Sequence, residues 1–449
     1  MTTEEAKQLV QEAKNISDAE IKKLQSERLT KLVNYARQHS PYFKELYKDL
    51  GETFTLEDLP ITSKKDLMAD YNKWPTDPEV TLDNVFEYLG QLNENPQSKL
   101  LGKYTALATS GTSGTRTPMV RDSYHNEIHG QMMKQRLMAD LNSDPRMKGN
   151  IKRAAVVHCN PNGSAYSSFM RKKRIAGASD NEWRAFSVLD PIDKLAKEID
   201  EFKPDMLSGY PSVVADLAAM QIEGRMNIHP IGIACSAETM TPRHMELIRK
   251  AFGEDCHIIN NFCSTEGGEI AMSCKYGHLH VNEDWIILEP VDEDMKPIKD
   301  GDQSAGVLVT DLSNFVQPII RYLVDDHIIW HTESCPCGNI RPYIEAIGRK
   351  GGVDFSFNGK KVNTLLLDVS AGRLGELINY QFVKVSETEC QLRIVTLPAN
   401  KHDEVAEVLL GKVRPIIHGY CGDDVKVIVV DGAPIHNERG GKMLHYVIR

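Results

Sequence analysis

Apolar residues recur at three- and four-residue spacing from Leu9 through Leu50, the period of amphipathic helices, with a break at Ser40-Pro41. From residue 150 to 262 the pattern changes. Short apolar runs at Ala154–His158, Met206–Ser208, Ile231–Ser236 and His257–Phe262 alternate with helical stretches near Ser212–Gln221 and Thr241–Phe252. Such alternation predicts a largely parallel sheet covered by helices. After Gly277 come short strands between polar turns, at 279–288, 305–311, 318–323 and 327–331, the pattern of an antiparallel subdomain. Beyond Gly348, strands at 381–386 and 390–396, a helix over 401–414 and a strand at 425–430 predict a small α+β unit. The expected fold class is α/β. A large N-terminal domain, residues 1–348, carries mostly parallel sheets and the antiparallel subdomain, and residues 349–449 form a small C-terminal domain.

Length and composition narrow the class. A chain of 449 residues is too long for one core. No apolar run approaches the roughly 20 residues that span a bilayer, so no membrane is expected. The start, Met-Thr-Thr-Glu-Glu-Ala-Lys, lacks a signal-peptide pattern, and the expected location is the cytoplasm. A net charge of −10 argues against a nucleic-acid partner. The cysteines number nine and show no disulfide framework, so reduced thiols or metal ligands are expected.

The chemistry starts at Thr109-Ser-Gly-Thr-Ser-Gly-Thr-Arg-Thr-Pro118, a stretch of hydroxyls, glycines and one cation. Glycine frees the backbone to bend, and the N–H groups and hydroxyls of such a loop can surround an anion. The alternative is a flexible linker. The mononucleotide P-loop is excluded, because no Lys follows Gly114. Two further polar clusters follow apolar runs, Ser236-Ala237-Glu238 and Asn260 to Glu266, where parallel sheets bind ligands. Cys274, His278 and His280 precede Cys335-Pro336-Cys337-Gly338. Cys274, His280, Cys335 and Cys337 would complete a tetrahedral, structural Zn²⁺ site; buried reduced thiols are the alternative.

The loop resembles the phosphate loop of the adenylate-forming enzymes, the family of acyl-CoA synthetases, peptide-synthetase adenylation domains and luciferases. The match covers Thr109, Ser110, Gly111, Thr112, Ser113 and Gly114, with the Pro delayed and Arg116 near its usual place. Tyr35-Ala-Arg-Gln-His-Ser-Pro-Tyr-Phe and Leu59-Pro-Ile-Thr-Ser-Lys-Lys-Asp-Leu67 resemble one subgroup, the phenylacetate–CoA ligases. Asn261-Phe262-Cys263-Ser264-Thr265-Glu266 is similar to the family's Tyr-Gly-x-Thr-Glu segment, with Phe262 for Tyr and Cys263 for Gly. The resemblance implies that Asn261 and Phe262 line the nucleotide site, that Thr265 bonds the α-phosphate, and that Glu266 ligates Mg²⁺, a cation that favours carboxylate oxygen. It makes Ser236, Ala237 and Glu238 the adenine-contacting segment. Arg321-Tyr-Leu-Val-Asp-Asp326 gives Asp326 the ribose hydroxyls, and Gly348-Arg349 is the interdomain hinge, with Arg349 on ribose or phosphate. In Pro434-Ile-His-Asn-Glu-Arg-Gly-Gly-Lys442, Lys442 would stabilise charge during attack.

The implied activity is ATP-dependent activation of an aryl or alkyl carboxylic acid, followed by rotation of a mobile C-terminal domain and transfer to a thiol. Two departures leave the acceptor open. Lys350-Gly-Gly-Val-Asp354 replaces the acidic hinge pair, and Phe357-Asn-Gly-Lys-Lys-Val362 stands where the subgroup has its thiol-tunnel loop. CoA, a carrier-protein thiol, an amine or a hydroxyl all stay open, as does a homodimer. By analogy the acyl pocket lies between His158–Ser168 and Ser208–Ser212, with Gly209-Tyr210-Pro211 as one wall.

Overall fold

The computed structural model describes every residue except 15, 93, 96, 110–115, 160–163, 350–354 and 439. Two compact units result, each assembled from separated stretches of chain. The first comprises Met1–Ile151, Asn160–Trp183 and His257–Lys350. The second comprises Lys152–Cys159, Arg184–Cys256 and Gly351–Arg449.

The first unit opens with helices Thr3–Glu12, Asp18–His39 and Pro41–Leu46. Thr2 and Ser17 start the first two through reciprocal capping with Glu5 and Glu20. Ser40 caps the third, with Pro41 in its first turn, where the missing N–H costs nothing. Strands Asp326–His331, Tyr343–Arg349, Leu279–Val281, Gly268–Ser273 and His257–Ser264 follow one another in space, each pair antiparallel. A separate antiparallel sheet joins Ile286–Val291, Gly306–Asp311 and Ile319–Val324. Its central strand is buried along its whole length. One apolar core, including Phe43, Trp74, Met119, Ile270 and Ile319, ties the helices to both sheets.

The second unit holds the parallel part, strands Arg153–Val157, Met206–Gly209 and Gly232–Cys235 in adjacent register. Helices Ile192–Phe202, Pro211–Ile222 and Pro242–Phe252 alternate with them in sequence. The same unit contains a four-stranded sheet in the order Lys426–Val429, Glu389–Thr396, Leu377–Ser386, Tyr446–Ile448. Helix His402–Cys421 buries Leu409, Val413 and Ile417 in the core of that sheet, beside Phe355, Phe357 and Phe382. The architecture is mixed α/β, with more antiparallel pairing than the apolar pattern alone suggests.

Candidate active site

In the first unit, strands Thr105–Ala108 and Pro118–Arg121 pair antiparallel, Ala108 opposite Pro118. The hydroxyl-rich loop is therefore the connection of a hairpin. Its base is closed twice: Thr109 N donates to Thr117 O at 3.0 Å, and Thr117 N donates to Thr109 Oγ1 at 2.8 Å. Ser110, Gly111, Thr112, Ser113 and Gly114 lie outside the described residues.

Thr265 and Glu266 occupy a three-residue tip, because Ser264 and Gly268 face each other across an antiparallel pair. The tip needs its glycines. A Cβ on Gly267 would stand 2.7 Å from Val309, and Gly268 combines φ +65° with a Cβ position 2.4 Å from the His129 ring. Two side chains brace the tip. Arg121, the last residue of the hairpin, donates to Thr265 O at 2.9 Å, and the Tyr322 hydroxyl donates to Glu266 Oε1 at 3.3 Å. Asn261 and Phe262 precede the tip on the same strand, Phe262 resting against the core.

Arg321 turns the other way. Its guanidinium makes two bonds to Glu289, at 2.9 and 3.1 Å, and one to Leu59 O at 2.7 Å. Thr62 then pairs with the same strand. The Leu59–Leu67 signature is thus a clamp on the strand that presents Tyr322. Asp326 starts the next strand and stands opposite Arg349 in its ladder. The structure thereby connects the hairpin, the Thr265-Glu266 tip and the Tyr322 strand through direct bonds.

Behind the tip lies a buried polar cluster that the motif reading missed. Helix Ser123–Met132 begins two residues after the hairpin, capped by Asp122. It presents His125 and His129, one turn apart and stacked at 3.9 Å between ring centroids. His129 Nδ1 lies 2.5 Å from Glu269 Oε2, and Nε2 lies 3.1 Å from Ser313 Oγ. Ser313 Oγ donates to Asp311 Oδ1 at 2.6 Å. Burial opposes a charge on His129, but Asp311 and Glu269 outweigh it and push it up to about 9. Burial and the neighbouring His129 push His125 down to about 3. The available signal was the His-x-x-x-His spacing directly after the loop.

In the second unit, Ser236 and Ala237 are exposed at the end of strand Gly232–Cys235, and Ala237 has φ +72°. Ser236 N donates to Gly209 O at 3.3 Å, and Glu238 turns inward. Its carboxylate accepts from Ser212 Oγ at 2.7 Å and from Met443 N at 2.6 Å. Burial raises its pKa, against those donors and the charge of Lys442. Tyr210 donates its hydroxyl to Gly440 O at 2.8 Å. At Gly441, with φ +70°, a Cβ would meet His158 Cβ at 2.5 Å. Lys442 is therefore held in a turn gripped from both sides, by Tyr210 and Glu238. His158 and Tyr210 stand beside that turn.

A separate cluster in the first unit joins Cys274, His280, Cys335 and Cys337, whose ligand atoms all lie within 4.8 Å of one another. Cys274 and Cys335 are 3.8 Å apart through sulfur, and Cys337 Sγ is 3.3 Å from His280 Nε2. Four ligands at zinc–sulfur distances would stand about 3.8 Å apart along a tetrahedral edge. His280 Nδ1 donates to Arg341 O at 2.9 Å, which leaves Nε2 toward the thiols. Asn339 N donates to Cys337 Sγ at 3.3 Å. His278 also approaches Cys335, at 3.3 Å, but stacks on Tyr343. These residues fit a closed four-ligand metal site.

No family model matches the chain. Among curated proteins it is similar to Protein CapK of Staphylococcus aureus, 22% identical over 68% of this chain and 62% of that protein. Indoleacetate–lysine synthetase of Pseudomonas savastanoi is 25% identical over 56% of this chain and 62% of its own length. Phenylacetate-coenzyme A ligase of Thermus thermophilus is 23% identical over 73% and 69%. The match thus spans just under two thirds of the first two relatives. Among solved structures, a 2-hydroxyisobutyryl-CoA ligase in its postadenylation state superimposes with a TM-score of 0.66 at 18% identity, covering 97% of this chain and 91% of that one. The chain thus shares the fold of that ligase, and the curated proteins it is similar to include a phenylacetate-coenzyme A ligase and an indoleacetate–lysine synthetase.

Proposed function

We propose that the protein activates a carboxylic acid with ATP as an acyl-adenylate and then transfers the acyl group to a thiol. The observation that carries this reading is the Thr265-Glu266 tip, braced by Arg121 from the phosphate-loop hairpin and by Tyr322 from the Arg321–Asp326 strand. In the first step a carboxylate oxygen attacks the α-phosphorus and pyrophosphate leaves. Thr109 to Gly114 would cradle the departing phosphates, Thr265 would hold an α-phosphate oxygen, and Asp326 would hold the ribose. Mg²⁺ at Glu266 would neutralise phosphate charge. Ser236, Ala237, Asn261 and Phe262 would contact the nucleotide, and Arg349 ribose or phosphate. Lys442 would stabilise the charge that builds during attack. In the second step a thiol such as that of CoA displaces AMP, with residues 349–449 acting as the mobile domain.

The test is exchange of labelled pyrophosphate into ATP, driven by a panel of aryl and alkyl acids. One acid should support exchange, and Lys442→Ala should lower it by roughly 10²-fold. Silence across the panel overturns the reading; a near-wild-type Lys442→Ala rate overturns the role of the lysine.

A second reading, transfer to an amine, has its own support. Phe357, in the segment standing where a thiol-tunnel loop would run, is fully buried in the core of the four-stranded sheet. One relative is named an indoleacetate–lysine synthetase. Offering CoA, lysine and hydroxylamine to the preformed adenylate separates the two. The cysteine–histidine cluster is read as a structural zinc site, with no open coordination position. Metal analysis should find about one zinc there per chain, lost in Cys335→Ser; zinc content unchanged by that substitution rules the site out.

A further inference from the structure

We propose that His125, His129 and Asp311 form a second metal site, a buried centre for a divalent first-row transition cation that anchors the phosphate-loop hairpin to the Thr265-Glu266 tip. It is independent of the adenylation reading.

Three observations carry it. The ligand atoms converge: the histidine nitrogens and an Asp311 oxygen lie within 4.8 Å of one another, and all three residues are buried. His125 Nδ1 is 3.1 Å from Asp311 Oδ2, and His129 Nε2 is 3.7 Å from Asp311 Oδ1. These lengths bracket the edge of about 3.3 Å expected between ligands each about 2.0–2.1 Å from one ion. Second, the histidines sit at i and i+4 on one helix, a spacing that points both rings to one side. Third, the surroundings are oriented as around a ligated imidazole. Glu269 binds His129 Nδ1 at 2.5 Å, which turns Nε2 toward Asp311. Asp311 Oδ2 is fully buried, with His125 Nδ1 at 3.1 Å beside it. Ser313 Oγ, 2.9 Å from His125 Nδ1, is a fourth ligand atom at hand.

Two imidazoles and a carboxylate suit Zn²⁺, Mn²⁺, Fe²⁺ or Co²⁺ rather than Ca²⁺ or Mg²⁺. The centre has a structural place. His125 and His129 follow the hairpin strand by a few residues, Glu269 lies three residues after Glu266, and Asp311 ends the middle strand of the three-stranded sheet. One ion would lock those three elements together. The helix continues directly into the π-helical turn Met133–Leu137, a deviation often found beside functional sites.

The experiment uses the full chain. Metal-depleted protein is titrated with Co²⁺ and read by absorption. Two classes of band are expected: thiolate charge transfer from the cysteine site, and ligand-field bands without it from the histidine site. In Cys335→Ser the charge transfer should vanish while about one equivalent of nitrogen- and oxygen-bound cobalt stays. Asp311→Asn or His129→Gln in that background should remove the remainder. Cobalt uptake confined to thiolate bands in the wild-type chain overturns the proposal, whatever the folding of the variants. Retained uptake in a folded Asp311→Asn chain overturns it too. The first outcome would leave the cluster a proton-bridged ion network.

Discussion

Asp216 lies half-buried on the helix Pro211–Ile222, and its bond partner is Asn379 Nδ2 at 2.6 Å. Burial pushes its pKa up to about 7, against the Asn379 bond and helped by Glu238. Folding therefore favours the protonated acid. That contribution is complete below the unfolded value near 4 and is lost as pH rises toward 7. Asp216→Asn removes the titration. The variant should match wild type at pH 4 and exceed it by about 1–3 kcal/mol at pH 8, read from urea unfolding midpoints. A gain equal at both pH values refutes the account. At this scale chemical type was legible and direction was not. Glu238 could be singled out in sequence, yet its carboxylate faces Ser212 and Met443, a choice made by partners over 20 and 200 residues away. Arg321 likewise reads as part of a nucleotide motif and spends its guanidinium on Glu289 and Leu59.

Among the elements, the tip between strands His257–Ser264 and Gly268–Ser273 is the most constrained. Gly268→Ala would force a side chain into a left-handed backbone and into the His129 ring. It should destabilise the first unit by about 2–4 kcal/mol, seen as a lowered thermal midpoint. An unchanged midpoint means the ring yields freely. Periodicity located most strands and helices to within a few residues, since apolar runs must be buried. It stopped helix 401–414 too early. The observed helix His402–Cys421 runs through Pro415, because Ile417 and Cys421 still bury against the sheet beyond it. It also joined the first two helices, although Ser17 and Glu20 spell a capping box between them. The buried histidine cluster escaped notice because a helix with two histidines reads as an ordinary polar face until Asp311 and Glu269 arrive from distant strands.

For the molecule as a whole, the order of motifs from Tyr35 to Lys442 was readable because each depends on a short local stretch. The grouping of segments was not. Both units are discontinuous, and residues 184–256 share theirs with residues 351–449. No local composition marks such a partnership, since it arises from buried contacts such as those of Asn379 with Ser212, Asp216 and His244. The described residues contain no helix long and apolar enough to cross a membrane. The paired bonds between Thr109 and Thr117 have a practical consequence. They close the base of the hairpin, where Arg116 Nε adds a 3.4 Å bond to Thr109 O. Libraries aimed at differently shaped or differently charged anions can therefore keep Thr109, Arg116 and Thr117 as a fixed frame.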